Sequence, residues 1–155
     1  MTIGTQLLTI ACISALAASA TFRIIGPPER GVPCGPELLQ EHEICLAQVM
    51  ERWQGKVLWI DARPRAEWQA DGMPGSILWN LDAREDANAF EQDAAAHLIE
   101  GGPVVVYCSE GSCGVSREVA EKVRKLELSQ DVYALHGGVG ALRAAGMLTG
   151  SRITP

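Results

Sequence analysis

A chain of 155 residues with 47% hydrophobic and 21% charged residues is long enough for one domain with a buried core and one appendage. Its net charge of -6, with no basic stripe, argues against any partner held through a phosphate backbone, so no nucleic acid is expected. Five cysteines, at 12, 34, 45, 108 and 113, lack the density of a small disulfide scaffold, and their odd number implies at least one thiol.

From Met1 to Phe22 there is no charged side chain, and Ile3, Leu7, Leu8, Ile10, Ile13 and Leu16 alternate with Ala, Ser and Thr until Arg23 closes the run. A stretch of about 20 such residues spans a bilayer. No Lys or Arg precedes it, as an ordinary signal peptide requires, although Ala18-Ser19-Ala20 resembles a cleavage site. Residues 1–25 are therefore expected to be an uncleaved membrane anchor, with a cleaved signal or a buried helix as the alternatives. Cys12 lacks a convincing lipobox because Thr9 stands where Leu is expected. Arg23 and Arg30 bias the domain only weakly towards the cytoplasmic side. Residues 26–36, GPPERGVPCGP, hold four prolines and three glycines and read as a linker to a domain over 37–150.

Leu38, His42, Cys45, Val49 and Trp53 recur at helical spacing and predict a helix over roughly 37–53. Lys56 to Asp61 is a short apolar run suited to a strand buried on both faces. Pro64 to Asp71 predicts a short helix, Ser76 to Trp79 a second strand, and Glu85 to Glu100 a helix with Ala87, Phe90, Ala94, His97 and Leu98 inward. Val104 to Tyr107 is the strongest strand. A helix over Ser116–Leu126, a strand over Val132–Leu135 and a short helix after Gly137-Gly138 complete the pattern. Strands alternating with helices imply α/β architecture, a parallel sheet covered on both faces.

Ligands of such sheets sit beyond the carboxyl ends of the strands, where Cys108 falls. Ser109-Glu110-Gly111-Ser112-Cys113-Gly114-Val115 then offers backbone N–H groups on small residues ahead of a helix N-terminus. That setting favours a thiolate and cradles an anion. Two cysteines with this spacing and no second Cys/His pair make a poor zinc site, so no metal is expected. Cys113 is either a small half-buried loop residue or a resolving thiol for Cys108. Cys34 and Cys45 can pair in an oxidising compartment, but the inward helical position of Cys45 favours a small buried hydrophobe. His42 and His97 are expected to pack on apolar helical faces, and Trp59 and Trp79 to sit in the core.

Cys108 with its loop, Trp59-Ile60-Asp61-Ala62-Arg63-Pro64, Trp68, Gly72-Met73-Pro74-Gly75-Ser76-Ile77, Leu135-His136-Gly137-Gly138-Val139 and Ala144-Ala145-Gly146 together resemble a single rhodanese domain from about Pro36 to Leu148. The resemblance implies a rhodanese-like parallel five-stranded sheet with helices on both faces. It also implies that Cys108 accepts a sulfane sulfur as a persulfide and passes it to a thiol or other thiophilic acceptor, without cofactor. Asp61, Arg63, Arg117 and His136 support the site, the first two mainly by tying loops together.

The turn lacks the family's usual His before Pro74, and Leu142 stands where Trp is common. If Ser116 matches the residue that opens the following helix, the loop is about two residues longer than the family's six-residue cradle. Related phosphatases carry an arginine six residues after the cysteine; here that place is Gly114, and Arg117 lies nine residues on, in the first turn of the helix. Glu110 is the only charged side chain of the loop, so a dianionic thiosulfate meets repulsion and a thiol-linked persulfide or polysulfide donor is favoured. The expected function is a membrane-tethered sulfurtransferase or persulfide carrier. The alternative is a non-catalytic rhodanese-like redox or interaction module using a Cys108–Cys113 pair. The expected partners are a sulfane-sulfur donor, a thiol acceptor, the membrane and an unidentified membrane or redox protein. Likeness to anchored bacterial rhodanese domains places the domain on the extracytoplasmic, periplasmic face.

Overall fold

The computed structural model describes residues 32–99, 101–109 and 113–148. The anchor expected over 1–25, most of the linker and loop residues Glu110, Gly111 and Ser112 lie outside them. No helix among the described residues is long and apolar enough to cross a membrane.

The sheet is organised around β4 (Val104–Tyr107), whose β-branched run is buried throughout. Parallel pairing joins β4 to β2 (Leu58–Asp61) on one side and β5 (Val132–Leu135) on the other. β3 (Ile77–Leu78) and β1 (Glu43–Ile44) form the edges, giving the order β1-β5-β4-β2-β3. The period of two then sorts the side chains. Val104, Val106 and Ile60 face a core shared with α3 (Ala87–His97) and α4 (Cys113–Lys125). Val105, Tyr107 and Trp59 face a second core shared with α1 (Leu46–Trp53) and α5 (Gly138–Ala144). Helices therefore cover both faces, and each fully buried aliphatic side chain contributes about 1.5–3 kcal/mol. Trp59 and Trp79 are both core residues, Trp79 standing just after β3.

The helix expected over 37–53 begins only at Leu46. His42 takes a left-handed φ of 59°, which no continuing helix permits. Glu43 and Ile44 instead form β1 and pair with Ala134 and Leu135. A two-residue strand carries no periodicity of its own, so the genuine spacing of Cys45, Val49 and Trp53 was extended back onto Leu38 and His42, both exposed. The helix expected over 85–100 is shorter as well. Asp86 caps it by accepting hydrogen bonds from the N–H groups of Asn88 (3.0 Å) and Ala89 (3.4 Å), which stabilises it by about 1 kcal/mol. Phe90, Ala94 and Leu98 form its buried stripe, whereas Ala87 and His97 are exposed, against expectation.

Cys34 and Cys45 form a disulfide, which corrects the reading of Cys45 as a mere buried hydrophobe. Cys45 is buried where β1 gives way to α1, and Cys34 is exposed. Burial alone cannot reveal a bond to a residue in a proline-rich stretch with no periodic structure.

Candidate active site

The loops that follow β4 and β5 leave the sheet on opposite faces, β4 towards α4 and β5 towards α5. Sheets of this kind bind ligands beyond the carboxyl ends of their strands, and Cys108 stands at that end as the first residue after β4, 1% exposed. Its carbonyl accepts the N–H of Val139 at 2.8 Å, which ties the start of α5 against it. A Cβ added at Gly138 would lie 2.5 Å from that carbonyl oxygen and 3.4 Å from Cys108 Sγ, and the φ of Gly138 is +51°. Glycine is therefore required there, and the Gly137-Gly138 pair forms a wall of the cysteine site.

The following helix starts at Cys113, three residues earlier than Ser116. The stretch between strand and helix is therefore Cys108 to Ser112, and Ser116 is a fully buried residue within α4 rather than its first residue. Gly114 and Val115 lie in the first turn, and Val115 packs against the core. Arg117 is one turn deeper than expected. It donates to Glu43 Oε1 at 3.2 Å and to Gln40, while His136 Nδ1 lies 3.3 Å from Glu43 Oε2. Two supporting residues predicted separately thus meet on one buried carboxylate in β1. Nothing in the sequence marked Glu43, because its strand is too short to read.

On the β2 side, Asp61 and Arg63 are both buried. Arg63 donates through Nε and Nη2 to Asp61 at 3.0 and 2.8 Å, and through Nη1 to Asp71 at 2.7 Å. Arg143 of α5 donates to the other oxygen of Asp71 at 2.8 Å. Burial, the largest single effect, pulls the Arg63 pKa down, yet the hydrogen bonds and charges of Asp61 and Asp71 outweigh it and leave the guanidinium more firmly protonated than usual. Burial likewise opposes ionisation of Asp71, but Arg143 and Arg63 hold its pKa below the ordinary carboxylate value. The guanidinium also lies 5.6 Å over the Tyr107 ring. Desolvation, reinforced by the Asp61 charge, pushes the Tyr107 phenol up to about 12. It stays neutral, donating weakly to Ser76 Oγ at 3.4 Å and accepting from the Met73 N–H at 3.0 Å. Asp61 and Arg63 therefore act as a frame that ties β2, α2 (Arg65–Asp71) and α5 together. Glu67 of α2 went unnoticed in the sequence; it accepts a hydrogen bond from Ser109 Oγ at 3.1 Å.

The family model described as the rhodanese-like domain matches residues 46–145, more than half of the chain. The chain belongs to that family. Among solved structures, this rhodanese-like domain is similar to the crystal structure of the BH2092 protein from Bacillus halodurans. The two are 18% identical with a TM-score of 0.53, over 70% of this chain and 77% of that one. At that identity the likeness concerns the fold. A protein of unknown function from Rhodopseudomonas palustris, RPA3614, described as a possible tyrosine phosphatase, is 19% identical with a TM-score of 0.43, over 76% of this chain and 98% of that one. No curated protein matches the sequence.

Proposed function

We propose that this rhodanese-like domain is a sulfurtransferase or persulfide carrier that works through Cys108. The observation that carries the reading is the seat of Cys108: a strand end, a glycine wall, and a 13-residue helix that begins five residues later in the chain. Helix N-termini and loop N–H groups stabilise sulfur anions. In the step proposed, the Cys108 thiolate attacks the outer sulfur of R–S–SH. The new S–S bond forms as the old one breaks, and the departing RS⁻ takes the persulfide proton. The products are the Cys108 persulfide anion and RSH, with no net change in electrons; a thiol acceptor then removes the outer sulfur. Arg117 supports this over phosphate-ester chemistry, since it is held by Glu43 and Gln40 rather than standing at the sixth place of the loop.

Membrane tethering through residues 1–25 and an extracytoplasmic domain belong to the same proposal. The Cys34–Cys45 disulfide supports the second, because disulfides persist in oxidising compartments.

Intact mass spectrometry of the full chain, reduced and then incubated with glutathione persulfide, tests the transfer. A gain of one sulfur, about 32 Da, that is lost in Cys108→Ser and kept in Cys113→Ser is the expected result. A loss of two hydrogens that needs both cysteines would replace the proposal with a redox module.

A further inference from the structure

Among the described residues, Glu67 has only a long ion pair to a cation that two other carboxylates share. It sits in the first turn of α2, its side chain 47% exposed, with one oxygen on the Ser109 hydroxyl next to Cys108. Its ion-pair partner among the described residues is Arg63, whose Nη1 is 3.8 Å away. That guanidinium is already committed to Asp61 and Asp71, and Asp71 also holds Arg143. Three carboxylates therefore share two guanidiniums. Asp61 and Asp71 take the hydrogen bonds, which leaves Glu67 as the surplus negative charge at the edge of the loop. The loop segment from Ser109 to Val115 contains no Lys or Arg and adds a second acid, Glu110.

We infer that Glu67 is the specificity-determining residue of the Cys108 site, its carboxylate disfavouring anionic reagents at the sulfur. The inference deepens the sulfurtransferase reading by naming the donor class: organic persulfides or polysulfides, which bring at most one negative charge at the sulfur-bearing end, rather than dianionic thiosulfate. With thiosulfate, Cys108 would attack the outer sulfur and expel sulfite. The encounter then brings the thiolate and a dianion together beside Glu67, within a Debye length of about 8–10 Å, so ordinary salt screens the repulsion only partly. With a singly charged persulfide that repulsion is about half as large, and with its protonated form it is absent.

Glu67→Gln tests the assignment because its amide oxygen still accepts from Ser109 while the charge is gone, and Glu67→Asp keeps the charge. The first readout is alkylation of Cys108 in the full chain, followed by peptide mapping, with anionic iodoacetate and neutral iodoacetamide. The iodoacetate-to-iodoacetamide rate ratio should rise about threefold in Glu67→Gln and stay near the parent value in Glu67→Asp. In the parent protein the ratio should rise with added salt, and in Glu67→Gln it should be nearly flat. The second readout is sulfur loading from thiosulfate relative to 2-hydroxyethyl persulfide, which differ by about one charge, and this ratio should also rise about threefold in Glu67→Gln. An alkylation ratio unmoved by Glu67→Gln overturns the inference whatever the activity. A ratio that rises while neither donor loads Cys108 keeps Glu67 as the field-setting residue and removes the sulfurtransferase reading instead.

Discussion

Two charged assemblies flank the cysteine at the carboxyl rim of the sheet, and they differ in how far water reaches them. On the β2 side the Arg63 side chain has no exposure and is held by Asp61 and Asp71. On the β1–β5 side the Glu43 carboxylate is buried too, but water reaches its partners: Arg117 is 35% exposed, and His136 stands by to share Glu43 when Arg117 is lost. Removing one partner from a dry assembly strands charge in low dielectric, whereas a wet one is backed by solvent. The first assembly behaves as a frame, and the second as a clasp whose loss the fold can absorb. On the β1 side the Cys34–Cys45 disulfide supplies covalent support where electrostatics are weaker.

The largest effect should come from breaking the frame. Arg63→Met leaves Asp61 buried without its cation and should lower unfolding free energy by about 3–5 kcal/mol in urea titrations. The difference should also depend on pH in a stated direction. The folded-state pKa of Asp71 is lowered, so its contribution is fully present above the ordinary carboxylate pKa and disappears as pH falls through the lower folded value. The gap between parent and Arg63→Met should therefore narrow below about pH 4. A gap of under 1 kcal/mol at neutral pH would mean that the frame is replaceable.

Opening the disulfide should cost less. With its partners 11 positions apart in sequence, reduction should lower stability by about 3 kcal/mol on the loop-entropy account, and a Cys34→Ser/Cys45→Ser variant should match the reduced parent and ignore reductant. An unchanged midpoint would show that β1 is held by its pairing with β5 and by the core alone. The smallest effect belongs to the clasp. Arg117→Gln leaves Glu43 with His136 and the Gln40 N–H, and should cost about 1 kcal/mol or less by thermal or urea unfolding. A loss as large as that of Arg63→Met would erase the distinction between the two sides.

Much of this architecture was legible beforehand because its signals are local. The four residues of β4 and the four of β5 are runs that only a buried strand accommodates. Gly137-Gly138 marked the start of the last helix, and Asp61 and Arg63 read as loop ties at a strand end. The misreadings arose where a local signal was borrowed or absent: Leu38 and His42 prolonged a helical spacing that belongs to Cys45, Val49 and Trp53, and His97 fell one position off the stripe of Phe90, Ala94 and Leu98. The late helix start assigned to Ser116 had the same origin, since a buried serine in the first turns of α4 looks like a cap when only its neighbours along the chain are known.

The sequence by itself determined the fold class, the succession of strands and helices from β2 onwards, and the position of Cys108 at a strand end, because hydrophobic period and glycine chemistry act over a few neighbouring residues. Only the tertiary structure decided which distant groups meet: Glu43 with Arg117 and His136, Glu67 with Ser109, Asp71 with Arg63 and Arg143, and Cys34 with Cys45. Those meetings depend on strand order and on the face each connection takes, and a parallel sheet sets both through contacts between segments far apart in the chain.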